Sequence, residues 1–95
     1  MVPCMSGECN CGNVTYEVFR APLLTYVCHC GNCQKRSGSA FGMGIVVPVD
    51  DLKVNGELSC WERVSDVGNR NSRYSCATCG NVIYGFGAYT PGLAK

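Results

Sequence analysis

Cysteine is the residue that most constrains what this chain can fold into, because nine cysteines occur among its 95 residues. At that density, cysteine chemistry rather than a large apolar core is expected to organise a small domain. A chain of this length suffices for one domain and buries only a modest share of its surface. We therefore expect residues 1–95 to form a single, cysteine-dependent domain.

Two pairs of cysteines have the spacing of metal-binding turns. Cys76 and Cys79 belong to a Cys-x-x-Cys-Gly turn, and Cys9 and Cys11 to a tighter Cys-x-Cys-Gly version. The glycine after each pair can adopt a positive φ, which lets backbone N–H groups approach the thiolates. Together the four residues make the closed ligand set of a structural zinc, whose binding would contribute to the folding free energy. Buried core thiols or separate sites are the alternatives.

A third group places three sulfurs in one compact loop, with no second turn nearby to supply a partner. Its members are Cys28, Cys30 and Cys33. Three protein ligands and one open position are typical of a catalytic zinc. His29 is the nearest candidate for a fourth ligand, but side chains of adjacent residues diverge, so we expect it to point away. A redox-active or purely structural thiol cluster is the alternative.

Disulfides and iron are the competing interpretations of so many cysteines. The N-terminus has none of the features of a signal peptide, so we expect a cytoplasmic protein, in which disulfides are uncommon. An odd number of cysteines would also leave one thiol over. Iron suits the same ligands, and the colour of the purified protein would distinguish it from zinc.

The two remaining cysteines have no ligand spacing. Cys60 lies in a predicted strand beside Trp61, and we interpret it as a small buried hydrophobic residue. Cys4 lies near an N-terminus that we expect to be mobile.

The rest of the sequence predicts short strands separated by turns. Asn55-Gly56 is a strong turn signal, a second turn is expected around residues 66–69, and the one helical feature is a turn at residues 33–36. Gly42 and Gly44 indicate a bulge or a close approach to the backbone. We predict a mainly β fold with little or no helix, with strands at residues 14–19, 23–27, 41–49, 59–64, 69–75 and 82–89.

The charge of the chain argues against nucleic-acid and membrane partners. The sequence contains eight Lys and Arg residues and seven Asp and Glu residues, which gives a formal charge of +1. No basic run is long enough to form a nucleic-acid or membrane patch. No apolar stretch approaches the length of a membrane span.

The order and spacing of three blocks of the sequence are typical of one protein family. The blocks are GECNCGNVTYEV, CHCGNCQKRSGSAFG and RYSCATCG. In them the chain resembles the glutathione-dependent formaldehyde-activating enzyme family, which is similar in fold to the Mss4-like group and includes centromere protein V relatives. The resemblance implies small antiparallel sheets pinned by zinc. It also implies a chain truncated at its C-terminus, because family members commonly continue beyond Lys95. We interpret residues 87–95 as a disordered tail, the end of a fragment, or a segment that a partner chain completes in an oligomer.

The resemblance also implies an activity and two zinc ions. The activity is that of a carbon–sulfur lyase, which reversibly joins glutathione and formaldehyde to give S-(hydroxymethyl)glutathione. The alternative is a zinc-binding module that carries a small thiol or mediates a protein interaction without turnover. By this resemblance, the structural-zinc ligands are Cys9, Cys11, Cys76 and Cys79, and the ligands of the second, catalytic zinc are Cys28, Cys30 and Cys33.

The implied chemistry calls for positive charge near the second zinc. The attacking group is a thiolate, which an open zinc can hold near neutral pH. Three cysteine thiolates already leave a divalent zinc with one negative charge in excess. Lys35 and Arg36 are therefore candidate contacts for the substrate glutathione, with arginine suited to gripping a carboxylate. The alternative is that both are ordinary solvated side chains.

Overall fold

The computed structural model describes residues 2–64, 68, 70–87 and 92–95, and strands dominate this part of the chain. One α-helix, α1, spans Gly31–Ser37, and a 3-10 helix spans Val49–Asp51. Neither described helix is long and apolar enough to cross a membrane. The strands are β1 (Met5–Glu8), β2 (Thr15–Val18), β3 (Leu24–Cys28), β4 (Gly42–Pro48), β5 (Leu52–Asn55), β6 (Leu58–Val64), β7 (Arg70–Cys76), β8 (Val82–Phe86) and β9 (Leu93–Ala94).

The strands form three small antiparallel sheets, with the orders β1-β2-β5, β3-β4-β9 and β6-β7-β8. The short strand β9 pairs with β4 through Val47 and Ala94. The next residue, Lys95, exchanges two backbone hydrogen bonds of 3.0 and 3.1 Å with Gly85 of β8. The C-terminal segment therefore links the second sheet to the third. The predicted fold of small antiparallel sheets is confirmed.

The apolar core is small and divided into two clusters. One is centred on Cys9, Val14 and Cys76, and the other on Val18, Val47 and Ala94. None of the fully buried apolar side chains in the described residues is larger than valine. A core of this size supplies little hydrophobic stabilisation, so a domain of this kind depends on a further constraint such as a metal.

Most predicted elements appear close to their expected positions. The strand predicted at residues 41–49 is β4, and the turn at Asn55-Gly56 is present, with Gly56 at a φ of 122° between β5 and β6. The turn predicted around residues 66–69 lies almost wholly outside the described residues, and so does the end of the strand predicted at 82–89. Strand β1 was not predicted, and the turn expected at residues 33–36 is part of the seven-residue helix α1.

The interpretation of the last residues as a disordered tail is wrong for the described part of that segment. Leu93 and Ala94 form β9, and Ala94 is buried against Val18 and Val47. The backbone pairing with β4 and β8 fixes a segment whose own sequence has too few residues to signal a strand.

The expectation of a buried Cys60 is also wrong, because this side chain is exposed. Cys60 lies on β6, which is an edge strand of its sheet and is exposed along most of its length. Cys4 is exposed as well, and its backbone N–H donates a hydrogen bond of 2.7 Å to the carbonyl of Val18.

Candidate metal centres and the adjoining cleft

Four sulfurs from the two ends of the chain meet in one cluster. The sulfurs of Cys9, Cys11, Cys76 and Cys79 all lie within 4.8 Å of one another. The sulfur of Cys11 lies 3.5 Å from that of Cys9 and 3.6 Å from that of Cys76. A tetrahedral zinc with Zn–S bonds of about 2.3 Å has sulfur–sulfur edges of about 3.8 Å. The cluster therefore has the dimensions of a closed four-cysteine zinc site.

Backbone N–H groups surround the two buried sulfurs of this cluster. The N–H of Val14 points at the sulfur of Cys9 at 3.4 Å. The N–H groups of Thr78 and Cys79 both point at the sulfur of Cys76, also at 3.4 Å. Such donors stabilise the charged thiolate relative to the neutral thiol. The turns thus favour the protonation state that a metal ligand needs.

The predicted positive φ after each pair of cysteines is present. Gly12 has a φ of 80° and Gly80 a φ of 78°. Their N–H groups donate hydrogen bonds of 3.0 Å to the carbonyls of Cys9 and Cys76 respectively. The two turns therefore have the same local construction, although they lie at opposite ends of the chain.

Two side-chain hydrogen bonds join the turns to each other. The N–H of Asn10 donates to Oδ1 of Asn81 at 3.2 Å, and Nδ2 of Asn13 donates to Oγ1 of Thr78 at 3.3 Å. Both pairs are exposed, so each contributes modestly to stability. They connect the two turns on either side of the four sulfurs.

The thiols of the first cluster differ strongly in acidity. Burial raises the pKa of Cys9, but hydrogen bonds from the Val14 N–H and from the thiols of Cys11 and Cys76 lower it to about 6. The N–H of Asn13 lowers the pKa of Cys11, whereas burial and the neighbouring thiols raise it to about 12. Sulfurs this close cannot all ionise without a compensating cation, which a divalent metal would supply.

The second cluster holds the three sulfurs of Cys28, Cys30 and Cys33, again within 4.8 Å of one another. The sulfurs of Cys28 and Cys30 are 3.4 Å apart. Cys28 ends β3, Cys30 is the N-cap of α1, and Cys33 lies in the first turn of that helix. A strand end, a cap and a helical turn thus bring three near neighbours in sequence to one point.

The cap of α1 also sets the acidity of this cluster. The N–H of Cys33 donates to the sulfur of Cys30 at 3.5 Å. This contact, together with hydrogen bonds from the thiols of Cys28 and Cys33, lowers the pKa of Cys30 to about 7. Burial and the adjacent thiols raise the pKa of Cys33 to about 11.

His29 does not join the second cluster, as predicted. Its ring lies 5.4 Å from the ring of Phe41, centroid to centroid. The cluster therefore offers three soft sulfur ligands. Such a donor set fits zinc and leaves one coordination position for an exogenous group. All nine cysteines are free thiols, so the disulfide interpretation has no support.

A cleft of about 480 Å³ adjoins the second cluster. Cys28, Cys33 and Arg36 lie on its wall, whereas Lys35 is exposed and does not line it. The cleft lies among strands of all three sheets and is mostly apolar. Its other lining includes Tyr16, Tyr26, Met43, Ile45, Arg73, Ile83, Tyr84, Phe86 and Lys95.

Gly42 makes room for Arg36 beside the three-sulfur cluster. A Cβ at Gly42 would lie 2.5 Å from Nη2 of Arg36 and 3.2 Å from Cβ of Cys33. A Cβ at Gly44 would similarly lie 2.6 Å from the hydroxyl of Tyr26. The close approach predicted for these two glycines is confirmed, and the regular register of β3 and β4 contains no bulge there.

The sequence analysis named only Cys28, Cys33 and Arg36 among the residues that line the cleft, and it missed Tyr26, Arg73 and Lys95 among others. Tyr26 precedes Cys28 by two positions in β3 and so shares its face of the strand, which is a signal that the sequence contained. Arg73 and Lys95 reach the cleft from β7 and from the residue after β9. No local pattern marks these two, because the packing of separate sheets brings them to the cleft.

Comparison with known proteins identifies the family. The sequence profile described as "Glutathione-dependent formaldehyde-activating enzyme" matches residues 4–93. The chain belongs to this family. It is 32% identical over 79 residues to the "Putative glutathione-dependent formaldehyde-activating enzyme" of Emericella nidulans, which covers 81% of the chain. The chain spans 40% of the length of that relative.

A solved structure also shares the fold of this family member. It is a Rhodobacter sphaeroides protein, which matches with a TM-score of 0.73 over 95% of the present chain and 81% of its own. At 23% identity this likeness shows the fold alone.

Proposed function

We propose that this member of the family is a zinc-dependent enzyme of the carbon–sulfur lyase type, acting in the cytoplasm. It would join glutathione, or a similar thiol, to formaldehyde and give S-(hydroxymethyl)glutathione. The observation that carries the proposal is that two of the three cysteines of the second cluster, Cys28 and Cys33, line the cleft. A ligand entering the cleft would meet the open side of that cluster.

The two clusters would hold different zinc ions. In this proposal a structural zinc binds Cys9, Cys11, Cys76 and Cys79, and the second zinc binds Cys28, Cys30 and Cys33. When bound at the open site, zinc supplies Lewis acidity and keeps an incoming sulfur ionised near neutral pH. The three cysteines fix the position at which that sulfur would lie.

The protein's own residues would orient the thiol and the aldehyde. Arg36 lies beside Cys33, where its charge can offset the negative charge of the sulfur cluster or bind a carboxylate of glutathione. Tyr26 offers a hydroxyl in the cleft, and burial, the largest influence, raises its pKa, so it stays a hydrogen-bond donor. Lys35 remains a candidate contact only for a part of the substrate that extends out of the cleft.

The reaction requires no acid–base pair. The thiol would release its proton to solvent, the sulfur would form a bond to the aldehyde carbon, and the carbon–oxygen π bond would become an alkoxide. That oxygen would take a proton back from water, so no net proton is gained or lost. No Asp, Glu or His side chain of the described residues lines the cleft. The rate gain would come from holding both reactants in one orientation.

Thiol-dependent loss of formaldehyde, followed with zinc-loaded protein against the uncatalysed rate, tests the proposal. We expect the protein to accelerate the reaction and Cys30→Ser to abolish the acceleration. Cys60→Ser is the matched control, because Cys60 is exposed and belongs to neither cluster. A rate at background for the zinc-loaded protein would refute the enzyme assignment.

A thiol carrier without turnover is the second candidate, because Cys28 and Cys33 on the wall of the cleft would serve equally to hold a thiol that is not passed to an aldehyde. Calorimetric titration with glutathione separates the two candidates. Binding without rate enhancement supports the carrier, and binding with enhancement supports the enzyme.

A further inference from the structure

The cleft concentrates positive charge in a chain that is nearly neutral. Arg36, Arg73 and Lys95 line it, and no Asp or Glu of the described part of the chain does. The whole sequence, by contrast, balances eight basic residues against seven acidic ones. An apolar cleft with charges of one sign attracts ligands of the other sign, because its walls screen those charges poorly.

Two of these cations, Arg73 and Lys95, lie on either side of the same residue in neighbouring antiparallel strands. Arg73 of β7 pairs with Gly85 of β8. Gly85 in turn exchanges both backbone hydrogen bonds with Lys95. Residues directly opposite each other in antiparallel strands share a face of the sheet. Arg73 and Lys95 therefore flank Gly85, which has no side chain, on the same wall of the cleft.

Both cations are held by aromatic rings as well as by their strands. The guanidinium carbon of Arg73 lies 5.1 Å from the centre of the Trp61 ring system, and Nζ of Lys95 lies 6.0 Å from the ring centre of Tyr26. Cation–π contacts of this kind limit the positions that a long side chain samples. The two charges are thus arranged before any ligand arrives, which lowers the entropic cost of binding.

Arg36 and Arg73 lie close enough for their positive charges to repel each other. Burial and then the charge of Arg36 lower the pKa of Arg73, whereas Cys33, when its sulfur is ionised, opposes this effect. Cations gathered in a partly buried site gain most from a bound carboxylate, with which arginine forms strong, charge-assisted hydrogen bonds.

We propose that Arg73, assisted by Lys95, binds a carboxylate of the thiol substrate and so selects glutathione-like dicarboxylate thiols over neutral ones. Arg36, beside the second cluster, would meet the carboxylate at the other end of the same molecule. The inference rests on the proposed function for the position of the sulfur. The carboxylate contact itself requires no turnover, so it can be measured separately.

Binding of S-methylglutathione to the zinc-loaded protein tests this inference without the reactive thiol. Calorimetric titration should show that Arg73→Gln weakens binding about tenfold or more, the loss expected for one charge-assisted hydrogen bond. Arg73→Lys should recover part of the affinity. Arg70→Gln is the control: it removes the same charge from β7, where Arg70 is exposed and paired with Glu62 at 3.7 Å, outside the cleft.

A second arm measures thiol selectivity. The rate of formaldehyde consumption with glutathione should fall in Arg73→Gln, whereas the rate with β-mercaptoethanol, which has no carboxylate, should stay unchanged. Equal losses with both thiols would overturn the inference, as would unchanged binding of S-methylglutathione. A parallel loss of zinc would also overturn it, because Arg73 would then act on the metal centre.

Failure of the proposed function gives a different result. If no variant turns over formaldehyde but S-methylglutathione still binds through Arg73, the carboxylate site stands and the enzyme assignment fails.

Discussion

The sulfurs of Cys11 and Cys76 lie 3.6 Å apart, although the two residues are 65 positions apart in the chain. Closing a loop of that length costs conformational entropy, which the small core can hardly offset. A metal held by both residues would offset that cost directly. We therefore expect the first cluster to decide whether the chain folds, and the second to decide what it binds.

Cys76→Ser should unfold the domain or leave it only partly folded. Structural zinc contributes on the order of 10 kcal/mol or more, which is comparable with the whole stability of a small domain. Thermal denaturation followed by circular dichroism measures the effect, and Cys60→Ser serves as the exposed control. A Cys76→Ser protein that melts within a few degrees of the parent would contradict a structural role.

Chelation should remove the zinc of the second cluster before the zinc of the first. The second cluster is partly exposed and has three ligands, whereas two sulfurs of the first cluster are buried. A mild chelator should therefore extract one zinc while the far-ultraviolet circular dichroism spectrum stays unchanged. Loss of the second zinc should coincide with unfolding. Simultaneous loss of both metals with the fold would show that the clusters are not independent.

Gly42→Ala should disturb Arg36 and the second cluster together. The new methyl group would lie 2.5 Å from Nη2 of Arg36, which would have to swing away, and 3.2 Å from Cβ of Cys33, which would have to move by a few tenths of an ångström. We expect weaker retention of the second zinc in a chelator titration, with the first retained.

Gly31→Ala is the matched control for that change. Gly31 opens α1, and a Cβ there would meet nothing within 4 Å. This variant should retain both metals like the parent protein. Equal behaviour of the two variants would mean that the space at Gly42 has no role in the site.

Trp61→Leu should loosen Arg73 without touching either metal cluster. An exposed cation–π contact is worth about 0.5–1 kcal/mol, so S-methylglutathione binding should weaken about two- to fivefold. Val64→Ala removes another exposed side chain of β6 and should have no effect. A loss of affinity larger than that of Arg73→Gln would indicate that Trp61 contacts the ligand itself.

The cysteine turns were predictable because their spacing is a local signal, whereas the joining of the two distant pairs was predicted from the four ligands that a closed zinc site needs. The spacing within the pairs at Cys9 and Cys76 and within the Cys28 loop dictates which sulfurs can face one point. The alternation of apolar and polar residues at 14–19 likewise predicted β2, because successive side chains of a half-buried strand point alternately to the core and to solvent.

The parts that were missed depend on tertiary contacts. Strand β1 has the sequence MSGE, with no apolar alternation, and it forms because β2 offers an edge. Strand β9 has two residues and exists through its pairing with β4. Cys60 is exposed because β6 lies at the edge of its sheet, and Arg73 reaches the cleft because three sheets meet there. A short stretch of neighbouring residues predicts none of these features.

Elemental analysis of freshly purified protein, run beside Cys30→Ser, tests the central claim most directly. Seven cysteines divided four and three predict two zinc ions per chain, falling to one in the variant, with no iron in either protein. Iron in place of zinc, or the same metal content in both proteins, would contradict the account.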